Sequence, residues 1–280
     1  MKAAVLGSPI AHSLSPVLHR AAYRALGLAG WTYQAIECDE AGLPGLLAGC
    51  GPDWAGLSLT MPLKRAVLPL LDHVEPLATE TGAANTVVFR GGRRHGHNTD
   101  VPGMIAALAE AHGPASPGPA INAASAVLIL GGGATACSAL AAARELGARP
   151  ATVAVRNPAR GTDLRAAADR LAMKITLAPF GDPPASRPDL LISTVPAAAA
   201  DLYAQRIARR ALLPRSLLDV IYHPWPTPLA TAARQRGAAV AGGFDLLLHQ
   251  AALQVQLMTG SQPPLEAMRT AGLTALASRA

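Results

Sequence analysis

The run Gly131-Gly132-Gly133-Ala134-Thr135-Ala136 constrains the fold of this chain more than any other feature, because of its flanks. Ahead of it stands Ala126-Val127-Leu128-Ile129-Leu130, an apolar run with the length of a buried strand. Behind it an alanine-rich stretch reads as a helix to about Leu146. Strand, glycine turn and helix in that order form the context that a dinucleotide-binding turn requires. The first glycine permits a tight turn, and the second lets backbone approach a pyrophosphate. The helix N-terminus adds amide donors and the positive end of its dipole. Ala136 replaces the last glycine, a variant the turn accepts. A plain strand-to-helix turn could carry the same glycines.

The end of the following strand, Ala151–Val155, bears on the cofactor. An NAD site needs Asp or Glu about 20 residues beyond the first glycine, to hold the ribose hydroxyls. Here the sequence reads Ala154-Val155-Arg156-Asn157-Pro158-Ala159-Arg160, with no carboxylate and two arginines around a turn. A guanidinium presents a planar fork suited to phosphate, so Arg156, Asn157 and Arg160 predict a site for the 2′-phosphate of NADP(H). Two ordinary surface arginines are the competing explanation.

The remainder of the chain alternates in the same manner. Short apolar segments at Ala3–Leu6, Thr32–Ile36, Gly56–Leu59 and Thr86–Phe89 interleave with helical stretches at Pro16–Leu26 and Ala66–Leu71. This rhythm predicts strand–helix units around a largely parallel sheet. Residues 113–124 are rich in Gly, Pro, Ser and Ala and read as a loop. Beyond the glycine turn come helix Thr162–Leu171, strands Leu190–Ser193 and Leu217–Ile221, and a long helix from Gly243 to about Thr259. A length of 280 residues suits two α/β domains.

Composition excludes several functions. The formal charge of +6 comes mostly from scattered arginines, and aromatics make up only 4%. Basic stripes and stacking platforms for nucleic acid are therefore missing, and the positive field suits an anionic small molecule. Cys38, Cys50 and Cys137 are odd in number and widely spaced, so neither a disulfide framework nor a metal site is expected. No apolar run approaches the ~18 residues of a membrane span, and the first residues lack the core of a secretory signal. A cytoplasmic protein, monomeric or homodimeric, is expected.

One residue stands out against that arginine-rich background. Of 24 basic residues only Lys2, Lys64 and Lys174 are lysines. Lys64 follows the apolar run Leu57-Ser58-Leu59 on the turn Thr60-Met61-Pro62-Leu63. Arginine keeps its proton at any relevant pH, whereas a partly buried lysine can give one up. Lys64 is thus a candidate proton carrier, against the alternative of a solvated surface charge. Ser13-Leu14-Ser15 precedes the helix at Pro16, where alternate hydroxyls could grip a carboxylate or merely cap the helix. Asn85 and Asp100 sit in polar segments that could equally be turns.

Together these segments resemble the shikimate dehydrogenase family nearly end to end. The resemblance rests on Gly7–Pro16, Leu59–Lys64, Gly82–Thr86, Asn98-Thr99-Asp100, Gly131–Ala134, Asp219–Pro224, Thr227-Pro228-Leu229 and His249-Gln250-Ala251. It implies an N-terminal α/β substrate domain and a Rossmann-type domain, with C-terminal helices returning to the first. The expected bounds are 1–101 with 244–280 for the substrate domain, and 102–243 for the NADP domain. The implied activity is NADPH-dependent, reversible reduction of 3-dehydroshikimate to shikimate in aromatic amino-acid biosynthesis. Lys64 and Asp100 would form the catalytic pair. Ser13 and Ser15 would hold the substrate carboxylate, with Thr60, Asn85, Tyr222 and Gln250 around the carboxylate and ring hydroxyls. Gly131, Gly132, Gly133 and Ala134 would cradle the pyrophosphate, and Val220 and Gly243 would line the nicotinamide.

Three positions depart from the family pattern. Ser58 stands where Asn is usual, which predicts a hydrogen bond lost or replaced by water. Val155 and Asn157 flank Arg156 where the family commonly has Asn and Thr. Asp245 replaces a small residue. The competing identities are a quinate/shikimate dehydrogenase with relaxed cofactor use, a non-catalytic NADP-binding regulator, and a dehydrogenase of folate one-carbon units. Two serines at 13 and 15 favour shikimate over quinate, and the presence of both Lys64 and Asp100 speaks against a silent regulator.

Overall fold

The computed structural model describes residues 1–113, 118–181 and 187–279, and the expected loop at 113–124 lies partly outside them. The chain divides into two compact units, Met1–Asp100 with Leu247–Ala280, and Val101–Leu246. No helix among the described residues is long and apolar enough to cross a membrane.

The first unit carries β1 (Lys2–Gly7), α1 (Ser15–Ala25), β2 (Thr32–Glu37), α2 (Leu43–Ala48), β3 (Trp54–Leu59) and α3 (Leu63–Ala66). It continues through β4 (His73–Val74), α4 (Pro76–Thr81), β5 (Thr86–Arg90) and β6 (Arg93–His97). These strands form one sheet in the order β2-β1-β3-β5-β6-β4. Strands β1, β2 and β3 pair in parallel, as the alternating rhythm predicts. Strand β5 instead runs antiparallel to both β3 and β6. The two-residue turn Gly91-Gly92 has φ of +58° and +73°, the left-handed pair that closes a tight hairpin, and so returns the chain as β6.

The helix expected at Ala66–Leu71 is corrected to the short α3 followed by a 3₁₀ turn at Leu68–Leu70. Pro69 explains the break: it has no amide to donate, and its ring would collide with the carbonyl of the preceding turn. The core below the sheet is aliphatic, with Leu6, Leu43, Leu57, Leu63 and Val87 inaccessible to solvent.

After α5 (Asp100–Ala111) the second unit proceeds through β7 (Val127–Leu130), α6 (Ala134–Glu145), β8 (Pro150–Val155), α7 (Thr162–Arg170), β9 (Lys174–Pro179) and β10 (Leu190–Ser193). Then come α8 (Asp201–Ala208), β11 (Ser216–Asp219), α9 (Pro228–Gln235) and β12 (Ala239–Ala241). The sheet order is β12-β11-β10-β7-β8-β9 and every pair is parallel. Renumbered from β7, this is the doubly wound order 3-2-1-4-5-6, whose topological switch point lies between β7 and β10. Strand β11 stops at Asp219, two residues short of the expected Ile221.

The last helices are α10 (Gly243–Thr259) and α11 (Leu265–Ala277). From Leu247 onward they belong to the first unit, the expected return, and α11 packs along α1.

Candidate functional site

Loops at the carboxyl ends of β1, β3 and β6, the residue that leads into β5 and helix α10 together build the polar site of the first unit. Gly7 closes β1 where a Cβ would lie 2.4 Å from the Thr60 methyl and 2.9 Å from the Met61 carbonyl oxygen. Only glycine lets the Thr60–Pro62 turn approach that strand so closely. The Ser8 amide donates to the Met61 carbonyl at 3.0 Å, joining the two loops. Glu37, at the end of β2, accepts from the Ser8 hydroxyl (2.6 Å) and the Ile10 amide (3.0 Å), fixing the segment that leads to Ser13.

Lys64 sits on α3, whose carbonyl at that residue accepts the Ala84 amide at 2.8 Å. Its Nζ donates to Asp100 Oδ2 at 2.5 Å. The two side chains are 16% and 8% exposed, so this is a largely desolvated ion pair and not the solvated surface lysine of the alternative reading. Asp100 opens α5, where a carboxylate also meets the positive end of the helix dipole.

Asn85 occupies the other carboxylate oxygen. Its Nδ2 donates to Asp100 Oδ1 (2.8 Å), to the Thr99 hydroxyl (2.9 Å) and to Gln250 Oε1 (3.2 Å). Its Oδ1 accepts the Thr99 amide at 2.8 Å and the Thr86 hydroxyl at 3.0 Å. Gln250 on α10 also donates to the Leu247 carbonyl at 2.9 Å, which ties its amide to its own helix. The structure therefore brings Lys64, Asn85, Asp100 and Gln250 together, and the turn reading of Asn85 and Asp100 fails because both side chains are buried in this cluster.

Ser13 and Ser15 lie at the start of α1. The Ser15 amide donates to Ser13 Oγ at 3.3 Å, and Leu14 takes the N-cap position with no side-chain cap. Ser15 is buried, and the nearby Tyr33 hydroxyl donates to Ser58 Oγ at 2.6 Å. Burial pushes the Tyr33 phenol far above its ordinary range, so it stays neutral.

Ser58 corrects an expectation. It is 3% exposed, and its hydroxyl accepts from Tyr33 at 2.6 Å and donates to Gln254 Oε1 at 2.8 Å. The hydrogen bond expected to be lost is satisfied within the protein. Gln254 itself was not among the expected residues; its signal in the sequence is its place one helical turn beyond Gln250, on the same face of α10.

In the second unit Gly131 ends β7 with φ of +113°, and a Cβ there would lie 2.4 Å from Thr194 Oγ1. Both contacting segments follow the switch-point strands, so the glycine turn stands where this topology places ligands. Gly132 and Gly133 are exposed, and no acidic side chain occupies the first turn of α6. That cradle fits a pyrophosphate. Arg156 and Arg160 are exposed, and the Asn157 side chain accepts the Ala159 amide at 3.0 Å, folding the turn between them.

Asp219 is buried at the end of β11, accepting the Thr227 hydroxyl (2.6 Å) and the Ile221 amide (3.3 Å); burial raises its carboxyl above the usual range. These bonds shape the segment that carries Val220 and Tyr222. A Cβ on Gly243 would lie 2.2 Å from the Val220 carbonyl oxygen, so that position admits only glycine. Asp245 accepts the Gly242 amide at 2.9 Å and so serves the first turn of α10. Tyr222 belongs to this unit, unlike the other residues expected around the substrate.

Two families match: the shikimate dehydrogenase substrate binding domain over residues 5–87, and the shikimate 5′-dehydrogenase C-terminal domain over residues 243–271. A shikimate dehydrogenase (NADP(+)) of Thermus thermophilus is 36% identical, with 99% of each chain covered. The crystal structure of Mycobacterium tuberculosis shikimate dehydrogenase is 42% identical with a TM-score of 0.83, covering 98% of this chain and 99% of that one. The Thermus thermophilus enzyme in complex with NADP(H) and shikimate is 32% identical with a TM-score of 0.78, covering 98% and 99%.

Proposed function

The chain belongs to the shikimate dehydrogenase family, and on that premise we propose that it interconverts 3-dehydroshikimate and shikimate with NADP(H), Lys64 and Asp100 handling the proton. The observation that carries this reading is the Lys64–Asp100 contact in a largely buried setting, with Asn85 on the second carboxylate oxygen. NADPH supplies the hydride when bound. The chain's own residues must then neutralise charge that develops on the C3 oxygen. Lys64 passes its proton to that oxygen, and Asp100 holds the ammonium in place for the transfer. In the oxidative direction Lys64 accepts the hydroxyl proton, a task that arginine could not perform.

Around this pair Ser13 and Ser15 hold the substrate carboxylate, and Thr60, Asn85, Tyr222 and Gln250 meet the carboxylate and ring hydroxyls. Gly131 to Ala134 take the pyrophosphate, Arg156, Asn157 and Arg160 the 2′-phosphate, and Val220 and Gly243 the nicotinamide. The unit Met1–Asp100 with Leu247–Ala280 then serves as the substrate domain and Val101–Leu246 as the cofactor domain. The two arginines beside a strand end free of carboxylates support NADP over NAD. A cytoplasmic monomer or homodimer acting on small molecules completes the reading.

The test is turnover of shikimate and quinate with NADP and NAD, followed by nicotinamide absorbance. Lys64→Ala lowers kcat by about 10²–10⁴-fold, the usual worth of acid–base catalysis, with much less change in KM. A Lys64→Ala enzyme with near-normal kcat removes the assignment, and faster turnover of quinate with NAD removes the substrate reading.

A further inference from the structure

Gln254 is 1% exposed, and every hydrogen-bonding position of its side-chain amide is filled. Its Oε1 accepts from Ser58 Oγ at 2.8 Å and lies 3.3 Å from His19 Nε2. Its Nε2 donates to Thr86 Oγ1 at 2.9 Å and to the Asn85 carbonyl at 3.2 Å. Ser58 and Thr86 are direct cross-strand neighbours on β3 and β5, so one amide on α10 clamps the two strands that lead to Lys64 and Asn85.

The direction of these bonds matters more than their number. With its oxygen occupied by the Gln254 amide, the Thr86 hydroxyl turns its proton to Asn85 Oδ1, 3.0 Å away. An oxygen that accepts from Thr86 and from the Thr99 amide leaves the Asn85 Nδ2 facing Asp100 Oδ1. Asp100 thus receives a donor on one oxygen and Lys64 on the other. On the far side a second run of bonds goes from Gln254 through Ser58 to Tyr33.

We propose that Gln254 is a positioning residue for the Lys64–Asp100 pair, acting through Thr86 and Asn85. This rests on the reading of that pair as catalytic. Gln254 touches no reacting atom; it sets which end of the Asn85 amide meets Asp100. Buried polar chains of this kind act as units, because each member fixes the donor and acceptor roles of the next.

The test uses the full chain. Gln254→Glu keeps size and the acceptor towards Ser58 but draws the Thr86 proton away from Asn85. It lowers kcat about tenfold, the worth of one hydrogen bond in a buried site, with KM for NADP unmoved. Gln254→Met removes the donor without offering a competing acceptor and loses less, about threefold, which a packing role alone would not produce. Thr86→Val cuts the next link and also loses about tenfold, and Thr86→Ser regains most of that activity. The Gln254→Glu/Thr86→Val double variant falls no further than Thr86→Val alone, since both act on one path.

Thermal unfolding of each variant reports folding separately. If Gln254→Glu does not fold, the Thr86 pair decides: full kcat in Thr86→Val overturns the proposal. Strict additivity in the double variant, or a Gln254→Glu enzyme that loses stability but not kcat, overturns it as well. If Lys64→Ala is measured alongside and keeps its kcat, the catalytic reading and the positioning role fall together. If Lys64→Ala loses kcat while Gln254→Glu keeps it, only the positioning role falls.

Discussion

Asn85 and Lys64 divide the carboxylate of Asp100 between them, Nδ2 of the one lying 2.8 Å from Oδ1 and Nζ of the other 2.5 Å from Oδ2. With both oxygens engaged, Asp100 has little freedom to rotate, and the ammonium it holds has a fixed place. Asn85→Asp exchanges the donor for an acceptor of nearly identical shape. Two carboxylates so close cannot both ionise freely, and a shared proton competes with Lys64. We expect kcat at neutral pH to fall at least about tenfold while the fold is retained, measured by steady-state kinetics and circular dichroism. Wild-type turnover in this variant would show that the Asn85 amide does not orient Asp100.

The cofactor loop predicts a different signature. Arg156 and Arg160 are exposed, the first just before the 3₁₀ turn Pro158–Arg160 and the second its last residue, and Asn157 caps that turn. Removing a guanidinium from a phosphate costs roughly 1.5–3 kcal/mol, so Arg156→Ala raises KM for NADP by about tenfold or more. NAD has no 2′-phosphate, and its kcat/KM stays within about twofold of wild type if the arginine serves that group alone. The ratio of the two kcat/KM values is the measurement. Equal losses with both cofactors would assign Arg156 to another part of the nucleotide.

How much of this was legible beforehand depended on the range of the signal. Gly131 announced itself locally, because a strand, a turn and a helix are contiguous in sequence. Lys64 stood out by composition and Asp100 by resemblance, but the contact between them needed β3 and β6 placed in one sheet. The hairpin turn Gly91-Gly92 was present in the sequence, yet β6 carries Arg93, Arg94, His95 and His97, too polar for an apolar pattern to reveal. Gln254 and Tyr33 were invisible for a stronger reason. Their partners are remote in the chain, Ser58 lying 196 residues from Gln254 and 25 from Tyr33. In the sequence Ser58 reads as a lost hydrogen bond because only its identity is visible there, whereas its partners come from β2 and α10.

Gly131 joins backbone conformation to ligand approach. At φ of +113° any side chain is strained, and a Cβ would intrude to 2.4 Å from Thr194 Oγ1. That hydroxyl is itself committed to the Leu130 carbonyl at 2.7 Å, so it cannot yield without losing a bond. Gly131→Ala therefore destabilises the second unit by about 1–3 kcal/mol from backbone strain, with steric cost in addition. It should also weaken NADP binding, because the strained turn no longer presents its amides. Chemical denaturation and fluorescence titration with NADPH follow the two effects; a variant as stable and as tight-binding as wild type would contradict both.

His19 makes stability depend on pH. The ring is fully buried on α1, stacked on Tyr33 at 3.9 Å between centroids, and burial lowers its pKa from 6.5 to about 3. Its Nε2 meets Gln254 Oε1, and Nδ1 has no partner among the described residues, an arrangement that suits the neutral ring donating through Nε2. The unfolded chain binds a proton here below pH 6.5 and the folded protein does not, so protonation favours unfolding. Above 6.5 the group contributes no pH dependence. As pH falls from 6.5 towards 3, its contribution lowers stability by up to about 1.4 kcal/mol per pH unit. His19→Phe keeps an aromatic ring against Tyr33 and removes the titration, though Gln254 loses one donor. Denaturant unfolding of both proteins between pH 7 and pH 4 gives the comparison: the variant starts less stable at pH 7 and declines less steeply. Parallel slopes through that window would mean that the buried ring takes up its proton without unfolding.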